Sequence, residues 1–487
     1  MNLKQEAVKG VAWSAIQTWG VRVISFLVML ILARLVLPES FGLIAYATVF
    51  TAFVQIFIDQ GFSDAIVQFP NLEREHLDTA FWISILTGTI FTVAGIAASG
   101  IIANIFHEPK LIPVIRSLSL MFIISALSSV QQALLRRKLA FKRLTTRSLI
   151  STFTSGIVAV VMAFLGFGVW SLVAKLMTDG VVNVIVLWQV SDWRPSFHLS
   201  TKHFKALISF GINIVGGDFV DFLSVHSDDF LIGYFLGSTV LGYYTLAYNL
   251  LIAMTDLLVS VPNAVAFPLF SKIQSEPTRL KSAFYEITQL QSIIAFPIFL
   301  GVLAVAPETV RVLYGDRWLT SIPVVQLLML VGIVRSASYF YSSIFRSAGK
   351  PSWRFGLWSL TALLNVVGFL VVVRMGIVAV AASYVFVSYI LMPLYILMVR
   401  KLIHISIQTL LIQYAPAMIS SLIMIVVVFV LKYLLEDNLL LPIRLIILSL
   451  AGGITYLLAL RFIQPSLYKK MLELSRMALP KFLLRQS

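Results

Sequence analysis

Long apolar runs constrain this chain more than any other feature of its sequence. About fourteen of them, bounded by charged residues or by proline and glycine clusters, are each long enough to cross a hydrocarbon core of about 30 Å as a helix. Only helices and closed barrels satisfy their backbone groups in lipid, and no alternation of the barrel kind is present. We predict an all-α polytopic membrane protein with about 14 transmembrane helices, at 12–36, 41–60, 80–104, 112–135, 145–166, 169–190, 207–235, 240–262, 286–310, 321–345, 355–373, 377–399, 411–432 and 442–462.

Composition excludes several kinds of site. Of 487 residues, 59% are hydrophobic and 12% are charged, whereas soluble domains have roughly 45–50% and 25%, so little remains for an extramembrane domain. The chain has no cysteine, which excludes disulfides, thiol catalysis and cysteine metal sites. Its six histidines lack the HExxH spacing of a zinc site, and no P-loop is present. We therefore expect no metal, no bound cofactor and no ATP-driven step.

The positive charges are distributed unequally between the two sides of the predicted membrane protein. The net charge is +15, and numbering the loops alternately gives 26 lysines and arginines on one side against 8 on the other. Positive loops stay in the cytoplasm, so we expect a protein of the inner (cytoplasmic) membrane with both termini inside. The basicity is then mainly a topology signal, with anionic lipids as partners at the cytoplasmic loops, and we expect no nucleic-acid partner.

The two halves of the chain resemble each other weakly. Residues 35–42 align with 235–242, and two further alignments near an offset of 210 residues agree with the order of the spans. Six spans in each half give both halves the same orientation, so the repeat is parallel, with an axis along the membrane normal. We predict an N-terminal six-helix bundle at 1–200, a C-terminal six-helix bundle at 201–405, two additional transmembrane helices at 406–465 and a basic cytoplasmic tail at 466–487.

Basic side chains within the spans are the first candidate site residues. A charge at bilayer depth costs roughly 2.5–3.5 kcal/mol on insertion scales. Arg22 in the first span, Lys175 in the sixth and Arg335 in the tenth therefore need a polar cavity or a partner. Each shares a helical face with other polar residues.

Acidic side chains form a second set, concentrated in the seventh span. Its four aspartates fall within about 100° of a helical wheel, which suits a wet cleft and not a lipid-facing surface. Interhelical pairing is the alternative interpretation, and we favour a shared hydrophilic cavity because several spans carry such stripes. The acidic candidates are Asp179, Asp218, Asp221, Asp228, Asp229 and Asp256.

Four segments carry a family resemblance. They are Gly10-x-x-Trp13-Ser14 followed by Arg22, Leu32-Ala33-Arg34-Leu35-x-x-Pro38-x-x-Phe41-Gly42, Asp59-Gln60-Gly61-Phe62, and Leu135-Arg136-Arg137-Lys138-Leu139-x-Phe141-Lys142-Arg143. The chain resembles bacterial polysaccharide flippases, in the branch that transports lipopolysaccharide, colanic-acid and teichuronic-acid precursors. That branch belongs to the superfamily that includes the MATE multidrug exporters and the lipid II flippase.

The resemblance implies a V-shaped pair of six-helix bundles and transport by alternating access. The implied substrate is an undecaprenyl-pyrophosphate-linked oligosaccharide, moved from the cytoplasmic to the periplasmic leaflet for surface polysaccharide biosynthesis. Arg22 matches a cationic position of related lipid flippases and is the leading pyrophosphate contact, while Lys175 and Arg335 are candidates by depth alone. The acids either bind Na⁺ or H⁺ as a coupling ion or balance the basic residues. Further possible partners are a polysaccharide polymerase or assembly proteins.

Two other functions stay open from the sequence. A MATE-type cation-coupled drug or metabolite antiporter would use Asp218 and Asp221 as binding groups. A membrane enzyme that ligates or polymerises glycans is the other alternative, but the outward loops are short, so we expect no enzyme activity.

Overall fold

The chain folds into helices. The structure is a computed structural model that describes residues 3–59, 61–69, 71–435 and 439–478, and no strand occurs within these ranges. The α-helices are α1 (Leu3–Leu35), α2 (Pro38–Asp59), α3 (Phe62–Gln68), α4 (Arg74–Ile105), α5 (Leu111–Arg137), α6 (Phe141–Phe164), α7 (Val169–Val190), α8 (Thr201–Leu236), α9 (Ser238–Lys272), α10 (Pro277–Ala304), α11 (Ala306–Leu313), α12 (Ile322–Ser338), α13 (Tyr341–Ser347), α14 (Pro351–Val372), α15 (Ile377–Ile403), α16 (Ile407–Leu434), α17 (Leu441–Ile463) and α18 (Pro465–Ala478).

The all-α, multi-pass membrane architecture is confirmed. Eleven spans in the described part of the chain are long and apolar enough to cross a membrane. The other three predicted spans fall on α1, α8 and α9, and the total of fourteen stays a prediction. Two residue sets named above lie outside the described ranges, namely Gln60 of the third motif and residues 479–487 of the basic tail.

Large apolar side chains on these helices face outward. Val93 on α4 is 63% exposed, Phe164 on α6 is 68% exposed and Leu450 on α17 is 62% exposed. Soluble monomers rarely expose apolar surface on this scale, so such surfaces mark contact with lipid or with another protein. Here they occur on helices of membrane-spanning length, which indicates contact with the hydrocarbon core.

Two predicted spans are interrupted by helix breaks. The span predicted at 286–310 is divided between α10 and α11 at Val305, directly before Ala306-Pro307. Proline lacks a backbone N–H and fits the first turn of a helix, so a new helix begins there. The span predicted at 321–345 is divided between α12 and α13 by a turn at residues 339–340, for which we have no sequence explanation.

The helices form two compact units, each described by itself. The first comprises Met1–Leu246 and Trp358–Ser383, and the second comprises Ala247–Leu357 and Tyr384–Ser487. This spatial division differs from the sequence halves at 1–200 and 201–405, which remain a prediction about the repeat. In the first unit α4 packs on α5, α6 on α7 and α1 on α6.

One basic motif residue closes a helix end in the first unit. Arg137, at the end of α5, donates through Nη1 to the carbonyl oxygens of Ile66 at 2.8 Å and Phe69 at 2.6 Å. These carbonyls lie at the C-terminal end of α3, where backbone acceptors have no partner within the helix. The motif at 135–143 therefore has a structural role at this position.

In the second unit, α10 packs on α12 and α16, and α16 packs on α17. Tyrosine hydroxyls donate to backbone oxygens of other helices in this group: Tyr414 on α16 to Ala337 on α12 at 3.1 Å, and Tyr456 on α17 to Ile293 on α10 at 2.7 Å. Side-chain hydrogen bonds of this kind stabilise helix association in membranes, where apolar burial contributes little.

A buried ion triad also holds the second unit together. Glu308 on α11, 3% exposed, lies 3.0 Å from Lys432 Nζ on α16 and 3.5 Å from Arg444 Nη2 on α17. A single carboxylate thus pairs with two cations from two helices. Removing it leaves both cations without this counter-charge in a largely buried place.

Glu308→Gln is therefore expected to lower the free energy of unfolding by about 3–5 kcal/mol, the usual cost of breaking a buried ion pair. Thermal unfolding of the purified protein measures it. Glu276→Gln is the matched control, because Glu276 forms an exposed pair with Arg279 at 3.3 Å and exposed pairs contribute about 0–1 kcal/mol. Equal melting temperatures for the two variants would contradict the structural importance of the triad.

Candidate functional site

Two helix junctions of the first unit meet backbone to backbone. Pro38 and Gly42 belong to the start of α2, and Ser238 and Gly242 belong to the start of α9. An added Cβ on Gly42 would lie 1.7 Å from the Ser238 carbonyl oxygen, and one on Gly242 would lie 2.0 Å from the Pro38 carbonyl oxygen. Only glycine permits this approach. We call these four residues the outer junction, since the predicted topology places them at the periplasmic end.

The outer junction relates the two sequence halves symmetrically. The alignment of 35–42 with 235–242 pairs Pro38 with Ser238 and Gly42 with Gly242. In the structure, Gly42 approaches Ser238, which lies four residues before Gly242, and Gly242 approaches Pro38, which lies four residues before Gly42. Such reciprocity is expected where two parallel repeats meet at their common axis. The sequence alignment found the residues but did not predict that they touch.

Polar contacts surround the outer junction. Ser238 Oγ donates to Glu108 Oε1, which links α9 to the loop after α4. Nearby, Lys110 Nζ lies 2.6 Å from Glu39 Oε1. The hydrogen bond and the charge of Glu39 raise the pKa of Lys110.

The four aspartates of α8 do not share one environment. Asp228 is buried and accepts hydrogen bonds from the Tyr244 hydroxyl at 2.8 Å and from the Asp229 N–H at 3.0 Å. The Asp229 carboxylate lies 3.8 Å from His226 Nδ1. Asp218 and Asp221 are exposed. The helical wheel placed all four on one face, but it carries no information on depth or partners.

A charged cluster lies inside the first unit between α5, α6 and α7. Arg147 on α6 donates to Gln132 Oε1 on α5 at 2.7 Å and to Ser148 Oγ at 3.2 Å. On α7, Lys175 and Asp179 lie one helical turn apart, and the Asp179 carboxylate is near enough to Arg147 for their charges to interact. Asp179 also accepts a hydrogen bond from Asn183 at 3.0 Å. We call Arg147, Lys175 and Asp179 the charged cluster.

Sequence reasoning found two members of the charged cluster and missed the third. Lys175 and Asp179 stood out because they lie in the middle of a span. Arg147 lies near the start of its span and was counted with the cytoplasmic loop charges. The available signal was that Arg147 falls inside the span predicted at 145–166.

Arg22 lies half-buried on α1, a helix that packs along α6. One turn and a half earlier on α1, Gln17 Nε2 donates to Ser148 Oγ on α6 at 2.9 Å. The same hydroxyl accepts from Arg147. The α1–α6 contact therefore continues the polar interior in which the charged cluster lies.

The second unit holds Arg335 and Asp256. Arg335 on α12 donates through Nη2 to the hydroxyls of Tyr248, at 3.3 Å, and Tyr384. Its guanidinium carbon also lies 5.8 Å and 5.6 Å from the centroids of those two rings, within cation–π range. Asp256 is half-buried on α9. The two tyrosines, from α9 and α15, were not predicted, because nothing in the local sequence links them to Arg335.

The structure also brings His203 next to Glu73 and His76, which lie far from it in the sequence. His203 Nε2 at the start of α8 lies 3.0 Å from Glu73 Oε2, and the Glu73 N–H donates to His76 Nδ1 at 3.3 Å. One potential metal-ligand atom from each lies within 4.8 Å of the others. The expectation of no metal was based on spacing along the chain, which cannot detect this arrangement, and it remains an expectation.

Comparisons with known proteins place these features in context. The model of a family described as "Polysaccharide biosynthesis protein" matches residues 31–323. Among curated proteins, the lipopolysaccharide biosynthesis protein WzxC of Escherichia coli is 28% identical over 72% of each chain. The teichuronic acid biosynthesis protein TuaB of Bacillus subtilis is 25% identical over 80% of this chain and 81% of its own. The succinoglycan biosynthesis transport protein ExoT of Rhizobium meliloti is 28% identical over 68% of this chain and 67% of its own.

Solved structures share the fold. The lipid II flippase MurJ in an inward closed conformation matches with a TM-score of 0.75 and 16% identity, over 93% of this chain and 99% of its own. An inward-facing multidrug resistance transporter of the MATE family and MOP superfamily matches with a TM-score of 0.63 and 14% identity, over 80% of this chain and 98% of its own. At these identities the likeness concerns the fold alone.

Proposed function

This chain belongs to the polysaccharide biosynthesis protein family, and from that premise we propose that it is a flippase for an undecaprenyl-pyrophosphate-linked oligosaccharide. The names of its relatives support this, since one is a transport protein for succinoglycan biosynthesis and two others serve lipopolysaccharide and teichuronic acid biosynthesis. The lipid II flippase shares the fold. Transport changes no covalent bond, so the proposed protein is not an enzyme.

The charged cluster is the observation that carries this proposal. A sugar chain and a pyrophosphate cannot cross hydrocarbon without polar partners, because unpaired polar and charged groups are very costly there. Arg147, Lys175 and Asp179 bring three ionisable groups to α6 and α7, helices that also carry exposed apolar side chains such as Ile157 and Val181. A polar interior of this kind supplies the solvation that the substrate loses on leaving water.

We assign the substrate's pyrophosphate to the basic residues. Arg22 is the leading contact, because a guanidinium binds phosphate oxygens with two parallel hydrogen bonds. Lys175 and Arg335 are further contacts. The acids Asp179, Asp218, Asp221, Asp228, Asp229 and Asp256 balance these charges or bind Na⁺ or H⁺ as the coupling ion.

We further propose alternating access across the cytoplasmic membrane, with both termini in the cytoplasm. The close backbone contact at the outer junction fits a state that is closed toward the periplasm. Release of the substrate there requires this contact to open. A polysaccharide polymerase or assembly proteins would then take up the released glycan.

Arg22→Ala is expected to reduce export of surface glycan by roughly 10- to 100-fold, since a hydrogen bond to a charged group contributes about 1.5–3 kcal/mol. Arg22→Lys should retain part of the activity, because it keeps the charge but loses the planar fork. Export is measured as surface polysaccharide in cells lacking the natural gene, at matched protein levels in the membrane. Arg34→Ala is the control, an exposed arginine on the same helix. Full export by Arg22→Ala would remove Arg22 from the mechanism.

A MATE-type cation-coupled antiporter is the second candidate function. The exposed positions of Asp218 and Asp221 favour it, since carboxylates suit a cationic drug better than an anionic lipid. Deletion of the gene distinguishes the two functions. Loss of resistance to cationic dyes with normal surface polysaccharide would indicate the antiporter, and the opposite result would indicate the flippase.

A further inference from the structure

A cavity of about 710 Å³ lies in the second unit where α15 ends and α16 begins. Basic side chains from two helices and one loop line it: Lys281 on α10, Arg400 and Lys401 on α15, and His404 in the loop between α15 and α16. We call it the basic cavity. None of the residue contacts described so far, and none of the candidate site residues, belongs to it.

The fold fixes the wall of the basic cavity. His404 ends α15 with a left-handed backbone conformation, φ 53°, and its N–H donates to the Arg400 carbonyl oxygen at 2.8 Å. Ser406 then caps α16, its Oγ accepting from the Thr409 N–H at 3.3 Å. The Tyr285 hydroxyl accepts from the Ser406 N–H at 2.7 Å and donates to its carbonyl at 3.2 Å. The loop is therefore tied to α10 and does not depend on a ligand for its shape.

The basic residues that line the cavity favour binding of an anion. Lys281, Arg400 and Lys401 place three basic side chains around one space. Of the described residues that line this space, none is acidic. The first turn of α16 adds the positive end of a helix dipole, since Ile407 and Gln408 also line the cavity. Like charges held together in this way favour binding of a counter-ion.

An apolar path leads away from the cations. Leu397, which also lines the cavity, lies one helical turn before Lys401 on α15 and is 49% exposed. Residues four apart share a helix face, so a cation and an exposed leucine follow one another along α15. The predicted topology places Arg400 and Lys401 at the cytoplasmic surface and Leu397 toward the hydrocarbon. A lipid that carries a phosphate on an acyl chain can contact both the cations and Leu397. A free anion would contact only the cations.

We propose that the basic cavity binds the phosphate headgroup of an anionic phospholipid from the cytoplasmic leaflet. The occupant is a resident membrane lipid and not the transported substrate. Basic pockets between transmembrane helices on the cytoplasmic side recognise such headgroups. The proposal uses the predicted orientation of the protein but not the identity of the cargo, so failure of the flippase function would leave it intact.

Lipid titration of the purified full-length protein tests the proposal. Native mass spectrometry with phosphatidylglycerol, cardiolipin or phosphatidylcholine measures bound lipid in the wild type and in Arg400→Gln/Lys401→Gln. We expect the double variant to bind the two anionic lipids about tenfold more weakly, while binding of phosphatidylcholine is unchanged. The single variant Lys281→Gln should weaken binding in the same direction, and it serves if the double variant does not fold.

The matched control removes two charges on the same predicted face without touching the cavity. Lys202 and Lys205 are exposed at the start of α8, and Lys202→Gln/Lys205→Gln should leave anionic-lipid binding within about twofold. An equal loss in both double variants would show only general charge attraction and overturn the proposal.

Competition with inorganic pyrophosphate is a second test, which distinguishes a lipid site from a site for free phosphate. Displacement of all bound lipid by pyrophosphate, with pyrophosphate bound equally well without lipid, would show a free-phosphate site and also overturn it.

Discussion

Replacing Gly42 with alanine is expected to abolish glycan export while the protein still reaches the membrane. The new Cβ would lie 1.7 Å from the Ser238 carbonyl oxygen, and a backbone atom cannot rotate away as a side chain can. Overpacking costs about 1–3 kcal/mol and sometimes more, and at about 3 kcal/mol the closed outer junction loses roughly 100-fold in population. A transporter that cannot close toward the periplasm cannot reload from the cytoplasm.

The measurement combines export with accessibility of the outer junction. A cysteine introduced at Ser40, on the first turn of α2, should react faster with a membrane-impermeant maleimide in Gly42→Ala than in the parent. Gly242→Ala should behave in the same way, because an added Cβ there meets Pro38 at 2.0 Å, and it tests the contact if Gly42→Ala fails to insert.

Gly100→Ala provides the control for the glycine substitutions. Gly100 lies on α4 with no atom within 4 Å of an added Cβ, so alanine should be tolerated there and improve helix propensity slightly. Normal export by Gly42→Ala, with an unreactive outer junction, would show that the backbone contact has no part in transport.

The sequence predicted the membrane architecture because hydropathy reports burial in lipid directly. Each predicted span falls on helical structure, and the basic motif at 135–143 marks a real helix end. The break at Val305 was readable in principle from Pro307, but the pattern of apolar residues continues through it. Apolar periodicity thus locates spans better than it locates their interruptions.

The candidate site was less predictable, because its contacts join residues far apart in the chain. Arg335 was identified from its depth, but its partners Tyr248 and Tyr384 lie 87 and 49 residues away. His203 and Glu73 are separated by 130 residues. A helical wheel grouped the four aspartates of α8, yet only Asp228 is fully buried. Periodicity gives the face of a helix, and tertiary packing decides what that face meets.

The outer junction shows an intermediate case. The repeat alignment matched residues 35–42 with 235–242, and in the structure Gly42 and Gly242 lie in contact. The parallel repeat itself stays a prediction, and the contact between the aligned glycines is consistent with two parallel repeats that meet near a common axis. The alignment alone did not predict that the two glycines would be in contact.

A reversible cross-link tests most directly whether the outer junction opens during transport. Glu108 and Ser238 share a hydrogen bond and come from the two predicted halves. Because the chain has no cysteine, Glu108→Cys/Ser238→Cys introduces a unique pair that a short bis-methanethiosulfonate linker can join. The matched pair Glu39→Cys/Lys110→Cys, at 2.6 Å between the original side chains, joins two residues of the same half.

The decisive measurement is glycan export before cross-linking, after it, and after reduction with dithiothreitol. The linker between positions 108 and 238 should lower export to below roughly a tenth, as expected for a gating step, and reduction should restore it. The linker between positions 39 and 110 should leave export unchanged. Export at the original rate with positions 108 and 238 fully cross-linked would contradict opening of the outer junction.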